Sequence, residues 1–104
     1  MFARSVSIHL NSNMLSDYTR TFENDTLPLL RQQKGFKDEI TLSNPGSLDV
    51  IAISLWESKA NAETYNTNTY PQVLRTLERM IDGAPKVQTF EAVTSTFHKL
   101  AVAA

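Results

Sequence analysis

Asp49-Val50-Ile51-Ala52-Ile53-Ser54-Leu55-Trp56 decides the fold. Ile51, Ile53 and Leu55 point one way and Val50, Ala52 and Trp56 the other. A strand over 49–56 is therefore apolar on both faces and belongs in the middle of a sheet. Just upstream, Asn44-Pro45-Gly46-Ser47 is a turn signal that makes 36–43 its hairpin partner. That partner carries Phe36, Ile40 and Leu42 against Lys37, Glu39 and Thr41, and its charge suits a sheet edge. Residues 2–10 also alternate, with Phe2, Val6, Ile8 and Leu10 on one side and Ala3, Ser5, Ser7 and His9 on the other. A last strand is expected from Val87 to about Thr96, running into Phe97 and His98, with 101–104 a loosely held tail.

Between the strands the period changes to that of a helix. Asn11-Ser12-Asn13 offers side-chain caps, and Leu15, Tyr18, Phe22 and Leu29 follow at helical spacing. Pro28 predicts a kink and Gly35 a stop. Ser58 is expected to cap a second helix carrying Ala62 and Tyr65 inward. The run Asn66-Thr67-Asn68-Thr69 should interrupt it, with Thr69, Pro71 and Gln72 opening a fresh capping box. Val73, Leu74, Leu77, Met80 and Ile81 then form its apolar stripe, ended by Asp82-Gly83-Ala84-Pro85. The order strand, helix, strand, strand, helix, strand predicts an α+β, ferredoxin-like βαββαβ antiparallel sheet with both helices on one face. Right-handed crossovers place strands one and three centrally and two and four at the edges.

The 104 residues suit a single domain over 1–104. Ten basic and eleven acidic side chains, with no Lys/Arg run, argue against a dedicated nucleic-acid binder. The absence of cysteine excludes disulfides, thiolate metal sites and a cysteine nucleophile. No charged-then-apolar leader opens the chain and no apolar stretch approaches ~20 residues, so the expectation is a cytoplasmic protein without a membrane span. Two helices cover only one face of a four-stranded sheet. The other, carrying one apolar set of strand three, predicts a homodimer packed face to face. A monomer with a half-polar face is the rival.

Three stretches carry a family resemblance: Gly35-Phe36 opening strand two, Ser54-Leu55-Trp56-Glu57-Ser58 leaving strand three, and Gly83-Ala84-Pro85-Lys86-Val87 entering strand four. With the element order over residues 1 to about 97, they make the chain resemble the antibiotic biosynthesis monooxygenase-like domains of the dimeric α/β-barrel superfamily. The resemblance implies paired sheets forming a barrel, with a ligand cleft between sheet and helices in each protomer. In the family's cofactor-free polyketide oxygenases a tryptophan ends the third strand, with an asparagine four residues before it and a tyrosine six after. Trp56 matches the first, whereas the other two positions are Ala52 and Ala62. The haem-degrading branch uses a helix-two histidine. Residues 59–81 contain none, and Tyr65 stands where that branch places another tryptophan, which argues against haem.

The resemblance turns the Ala52, Ser54 and Trp56 face toward the helices. Ser5, Ser7 and His9 are expected to adjoin it, leaving room beneath Tyr18 and Phe22 for a planar hydrophobic ligand. Trp56 is then either a ligand wall or core filling at a strand end. His9 is the candidate base for a phenol or enol, or else a histidine hydrogen-bonded in the sheet. Tyr65 and Tyr70 flank the break in helix two, which is either a flap over the cleft or an ordinary turn. His98 is expected at the surface or in a dimer contact. Catalytic His9 and Trp56, with Tyr18, Phe22, Ser54, Tyr65 and Tyr70 contacting substrate, give a cofactor-independent, metal-free monooxygenase acting on a small aromatic or polyketide-like molecule. A non-catalytic ligand-binding module and a purely structural dimerisation domain are the alternatives.

Overall fold

The computed structural model describes residues 1–100, so the expected tail over 101–104 lies outside the described residues. The strands are β1 (Phe2–His9), β2 (Phe36–Ser43), β3 (Asp49–Trp56) and β4 (Lys86–Glu91). They form one antiparallel sheet in the order β2-β3-β1-β4, which puts at its centre the two strands that carry buried residues. The helices are α1 (Leu15–Thr21), α2 (Leu27–Arg31), α3 (Lys59–Asn68) and α4 (Tyr70–Leu77). Among the described residues no helix is long and apolar enough to cross a membrane.

The β1–β3 register fixes what lies inside. Phe2, Arg4, Val6 and Ile8 stand opposite Trp56, Ser54, Ala52 and Val50, and paired residues share a face. This face meets the helices and holds the core, which continues through Leu10, Tyr18, Phe22, Leu30, Tyr65, Val73, Leu77 and Met80. Ser5, Ser7 and His9 therefore lie on the opposite, open face beside Ile53, Ile51 and Asp49. The expectation that they adjoin Trp56 is corrected by this pairing. Phe36 also parts from Ile40 and Leu42. A bulge at 36–38 turns Phe36 onto the Trp56 side, whereas Ile40 and Leu42 pair with Ile53 and Ile51 on the open face.

A π-helical turn over Phe22–Thr26 separates α1 from α2. Tyr18, Phe22, Thr26 and Leu30 are all buried at four-residue spacing. In a pure α-helix three such steps would drift by about 120°. The wider π turn absorbs that drift and keeps all four side chains over the sheet. It also precedes Pro28, which has no amide to give Asn24. Leu30 thus takes the interior place expected of Leu29, and Leu15 is left exposed. No side chain caps α1, whose N-terminal boundary is Met14, and Asn11 bonds the Arg79 carbonyl instead.

Ser58 caps α3 as expected, accepting from the Asn61 amide at 3.2 Å. The helix runs through Asn66, Thr67 and Asn68, so the break before α4 is Thr69 alone. Thr69 does not form the expected capping box; its hydroxyl donates to Gln33 Oε1 at 3.2 Å. The stripe ends in a 3₁₀ turn over Glu78–Met80, after which Ile81 is extended and bridges Leu10. β4 stops at Glu91, short of the expected Thr96. The following residues reach Phe97, which borders a shallow pocket with Ile40, Ile53 and Leu55 on the open face. His98 then contacts the Asp38 carboxylate on β2.

Gly35 ties the helical layer to the sheet. Its carbonyl accepts from the Glu57 amide at 2.7 Å, its φ is +81°, and a Cβ there would lie 2.3 Å from Asn61 Oδ1. Strain from the left-handed φ (about 1–2 kcal/mol) adds to displacement of a capped helix. Gly35→Ala is expected to destabilise the fold by about 2 kcal/mol or more in urea unfolding. Gly46→Ala, where a Cβ meets nothing within 4 Å, should cost about half as much.

Candidate active site

Two small residues at the centre of the sheet, Ala52 and Ser54, leave space under the helices. The resulting cavity is narrow and opens to solvent on one side. Val6 and Ile8 complete its floor; Tyr18, Phe22 and Leu30 wall one side, and Tyr65, Tyr70, Val73 and Leu77 the other. Of the residues expected to contact a ligand, Tyr18, Phe22, Ser54, Tyr65 and Tyr70 are brought together here. Tyr18 and Phe22 stack at 5.8 Å between ring centroids, and Tyr65 and Tyr70 lie 6.3 Å apart.

Trp56 stands one layer behind this lining, fully buried, with Phe36 at 5.6 Å and Tyr65 at 5.0 Å. Its indole N–H donates to Ser54 Oγ at 2.9 Å. Trp56 thus fills the core at the strand end, where the indole holds the Tyr65 ring and the Ser54 hydroxyl of the lining. His9 is outside the cavity altogether. It is exposed on the open face, where its Nδ1 lies 2.8 Å from Asp49 Oδ1. That hydrogen bond, the first cause, holds the Asp49 carboxyl below its usual pKa, with Ser47 adding a second.

Two charged cavity residues escaped the sequence reading. Arg4 occupies the one position in the Phe2-Arg4-Val6-Ile8-Leu10 series that is not apolar. The register turns it into the core, where it is 3 % exposed. Its guanidinium donates to Asn66 Oδ1 at 2.8 Å and lies over the rings of Tyr70 at 4.1 Å and Tyr65 at 5.2 Å. Among the described residues no carboxylate pairs with it, and its Nε–H has no partner. Burial pushes its pKa down from the ordinary value, though a guanidinium stays charged at any ordinary pH.

Glu39 is the other. Pairing with Ser54 across β2–β3 puts it on the cavity side, half-buried, with its carboxylate accepting from Thr41 Oγ1 at 2.6 Å. Burial raises its pKa above the usual glutamate value, against the opposing Thr41 bond. Burial is also the main cause of the raised Tyr18 and Tyr65 phenol pKa values, the latter pushed up to about 12. Both are therefore neutral donors at physiological pH. Glu39, Ser54 and Arg4 stand in one row across β2, β3 and β1. Two strand spacings put the backbones of Glu39 and Arg4 roughly 10 Å apart. The row is thus an acid–base group at one end, a small hydroxyl in the middle, and a fixed cation at the other. Among the described residues no three His, Asp or Glu side chains converge to hold a metal ion.

No family sequence model and no curated protein matches the chain. Solved structures do match in fold. A cofactor-independent oxygenase from Streptomyces nogalater, SnoaB, superposes with a TM-score of 0.76 at 11 % identity, over 91 % of this chain and 95 % of its own. A structure described as an antibiotic biosynthesis monooxygenase gives 0.72 at 10 % identity, over 90 % and 100 %. A protein of unknown function from Nitrosomonas europaea gives 0.72 at 15 % identity, over 98 % and 95 %. The chain has the α+β, ferredoxin-like fold of the antibiotic biosynthesis monooxygenase structures.

Removing the Ser54 hydroxyl strands a buried indole N–H. Ser54→Ala is expected to cost about 1–3 kcal/mol in urea unfolding and to change Trp56 fluorescence. Ser54→Thr, which keeps the oxygen, should lose less of the Trp56 signal.

Proposed function

We propose that the protein binds a small aromatic or polyketide-like molecule in the helix-side cavity and oxidises it with molecular oxygen, without a bound cofactor. The observation that carries this reading is the Glu39–Ser54–Arg4 row beneath a tyrosine-rich roof. Glu39 takes the place first considered for His9, because it borders the cavity and its pKa is raised toward the working range of a base.

An anthrone-type CH₂ suits this site. Glu39 accepts a proton from the substrate, and the resulting enolate passes its electrons to O₂. A C–O bond then forms to give a hydroperoxide, and loss of water leaves the carbonyl. One oxygen atom enters the product. The other leaves as water with the two hydrogens of the CH₂ group, including the proton Glu39 had taken. Trp56 is a positioning residue in this scheme, acting through Ser54 and Tyr65.

The protein works as a homodimer joined through the open sheet face. Ile40 and Phe90, 54 % and 53 % exposed, support this reading, as do Leu42 and Ile51 beside Ile40 and the Phe97 that borders the same face. A binding module without turnover is the second reading, favoured by Ala52, which puts no polar group on the cavity floor.

Oxygen uptake with anthrone should fall by about 100-fold or more in Glu39→Gln. The wild-type rate should rise with pH along a limb centred above the usual carboxylate range, and this limb should vanish in the variant. An unchanged rate in Glu39→Gln contradicts the assignment; anthrone bound but recovered unchanged supports the binding module. Because the folded state holds the Glu39 proton to higher pH than the unfolded chain does, stability contributed by that proton is lost as pH rises through this window. Glu39→Gln should therefore melt no lower than wild type at pH 7. Sedimentation should give twice the chain mass, and Ile51→Lys the chain mass.

A further inference from the structure

The cavity's hydrogen-bonding groups are unbalanced in one direction. Arg4 Nε, the Tyr18 hydroxyl and the Tyr70 hydroxyl are all buried without a partner. Arg4 and Tyr18, at 3 % and 1 % exposure, are more than nine-tenths buried. Arg4 Nε can only donate, and the two phenol hydroxyls can donate as well. Of the nearby acceptors, Ser54 Oγ is taken by the Trp56 indole, and the Glu39 carboxylate lies two strands away from Arg4 at the other end of the row. A buried cation is normally matched by a carboxylate, yet Arg4 has only the neutral Asn66 amide and two ring faces. Such an arrangement is stable enough to fold and is completed by an anion.

We infer that the cavity takes an aromatic ligand bearing an ionised oxygen, seated on Arg4 Nε and the Tyr70 hydroxyl, with its ring over Ser54 and Ala52. This inference rests on the aromatic-cavity reading above and narrows its substrate class. A carboxylate carried permanently by the ligand and an enolate or phenolate formed by proton loss share this chemistry. In either case the charge meets the guanidinium at the end of the row away from Glu39. That separation keeps the anion clear of the carboxylate and leaves Glu39 facing the proton to be removed.

The probes are 2-naphthoate, its neutral isostere 2-naphthamide, and anthrone, followed by the fluorescence of Trp56, the chain's one tryptophan. The wild type should bind the naphthoate at least tenfold more tightly than the amide. Arg4→Met should erase that preference while still binding the amide. Tyr70→Phe, which removes a buried hydroxyl without a hydrogen-bond partner and keeps the ring beneath Arg4, should weaken naphthoate several-fold with little change in melting temperature. It keeps the inference testable if Arg4→Met does not fold. Should a ligand carry its own carboxylate, the naphthoate preference will hold from pH 6 to 9. Should the anion arise by ionisation, 2-naphthol will gain affinity as pH approaches its own pKa. Equal binding of naphthoate and amide by the wild type, or anthrone bound with naphthoate excluded, overturns the anion seat alone. Failure of all three probes to bind overturns the cavity reading with it.

Discussion

The pairing of β1 with β3 is the constraint from which the rest follows. Side chains alternate across a strand, so a slip of one residue would bring Ser5, Ser7 and His9 inside and expel Val6 and Ile8. The register that buries Val6, Ile8, Val50 and Trp56 also buries Arg4, because Arg4 shares their face. Effective desolvation penalties for a buried ion run to several kcal/mol. Here the Asn66 amide and the Tyr65 and Tyr70 rings offset part of that cost. Apolar burial along the same strand holds the register against the remainder. Mounted on a central strand, the guanidinium is held more rigidly than a loop could hold it.

The helical layer is shaped to the same face. The π turn at Phe22–Thr26 keeps Tyr18, Phe22 and Leu30 in line above the sheet. The Thr69 break sets Tyr65 and Tyr70 on either side of Arg4, which lies over both rings. Trp56 locks the inner end by holding Ser54 and Tyr65. Each element would be an irregularity in isolation. Together they surround two small side chains, Ala52 and Ser54, with aromatic walls, the Glu39 carboxyl at one end and the Arg4 guanidinium at the other.

Much of the fold was legible in the sequence because hydrophobic period and turn chemistry are local. The 49–56 strand, its hairpin partner and the Ser58 cap needed no tertiary information. Tyr18, Phe22, Ser54, Tyr65 and Tyr70 were placed at a cleft by the family resemblance, which supplied the face of the 49–56 strand that local pattern leaves open. What was misread depends on register. His9 looked like a base beside Trp56 until the β1–β3 pairing turned it outward. Glu39 looked like an edge-strand surface charge until the bulge at 36–38 and its pairing with Ser54 turned it inward. Arg4 did leave a sequence signal, a cation interrupting an otherwise apolar strand face, but its meaning rests on which face is buried. The π turn left only four-residue spacing, which an α-helix reading spreads around the helix.

The most direct measurement is the Nε–H resonance of Arg4 in solution, resolved by NMR among the chain's arginines and assigned by its loss in Arg4→Lys. Its proton is buried and unpartnered in the ligand-free protein. On titration with 2-naphthoate it should move strongly downfield and exchange more slowly, as it enters a charge-assisted hydrogen bond, while exposed arginines such as Arg20 and Arg75 stay still. If naphthoate binds with saturation and the Arg4 resonance does not move, the ligand's charge lies elsewhere and the central claim is wrong.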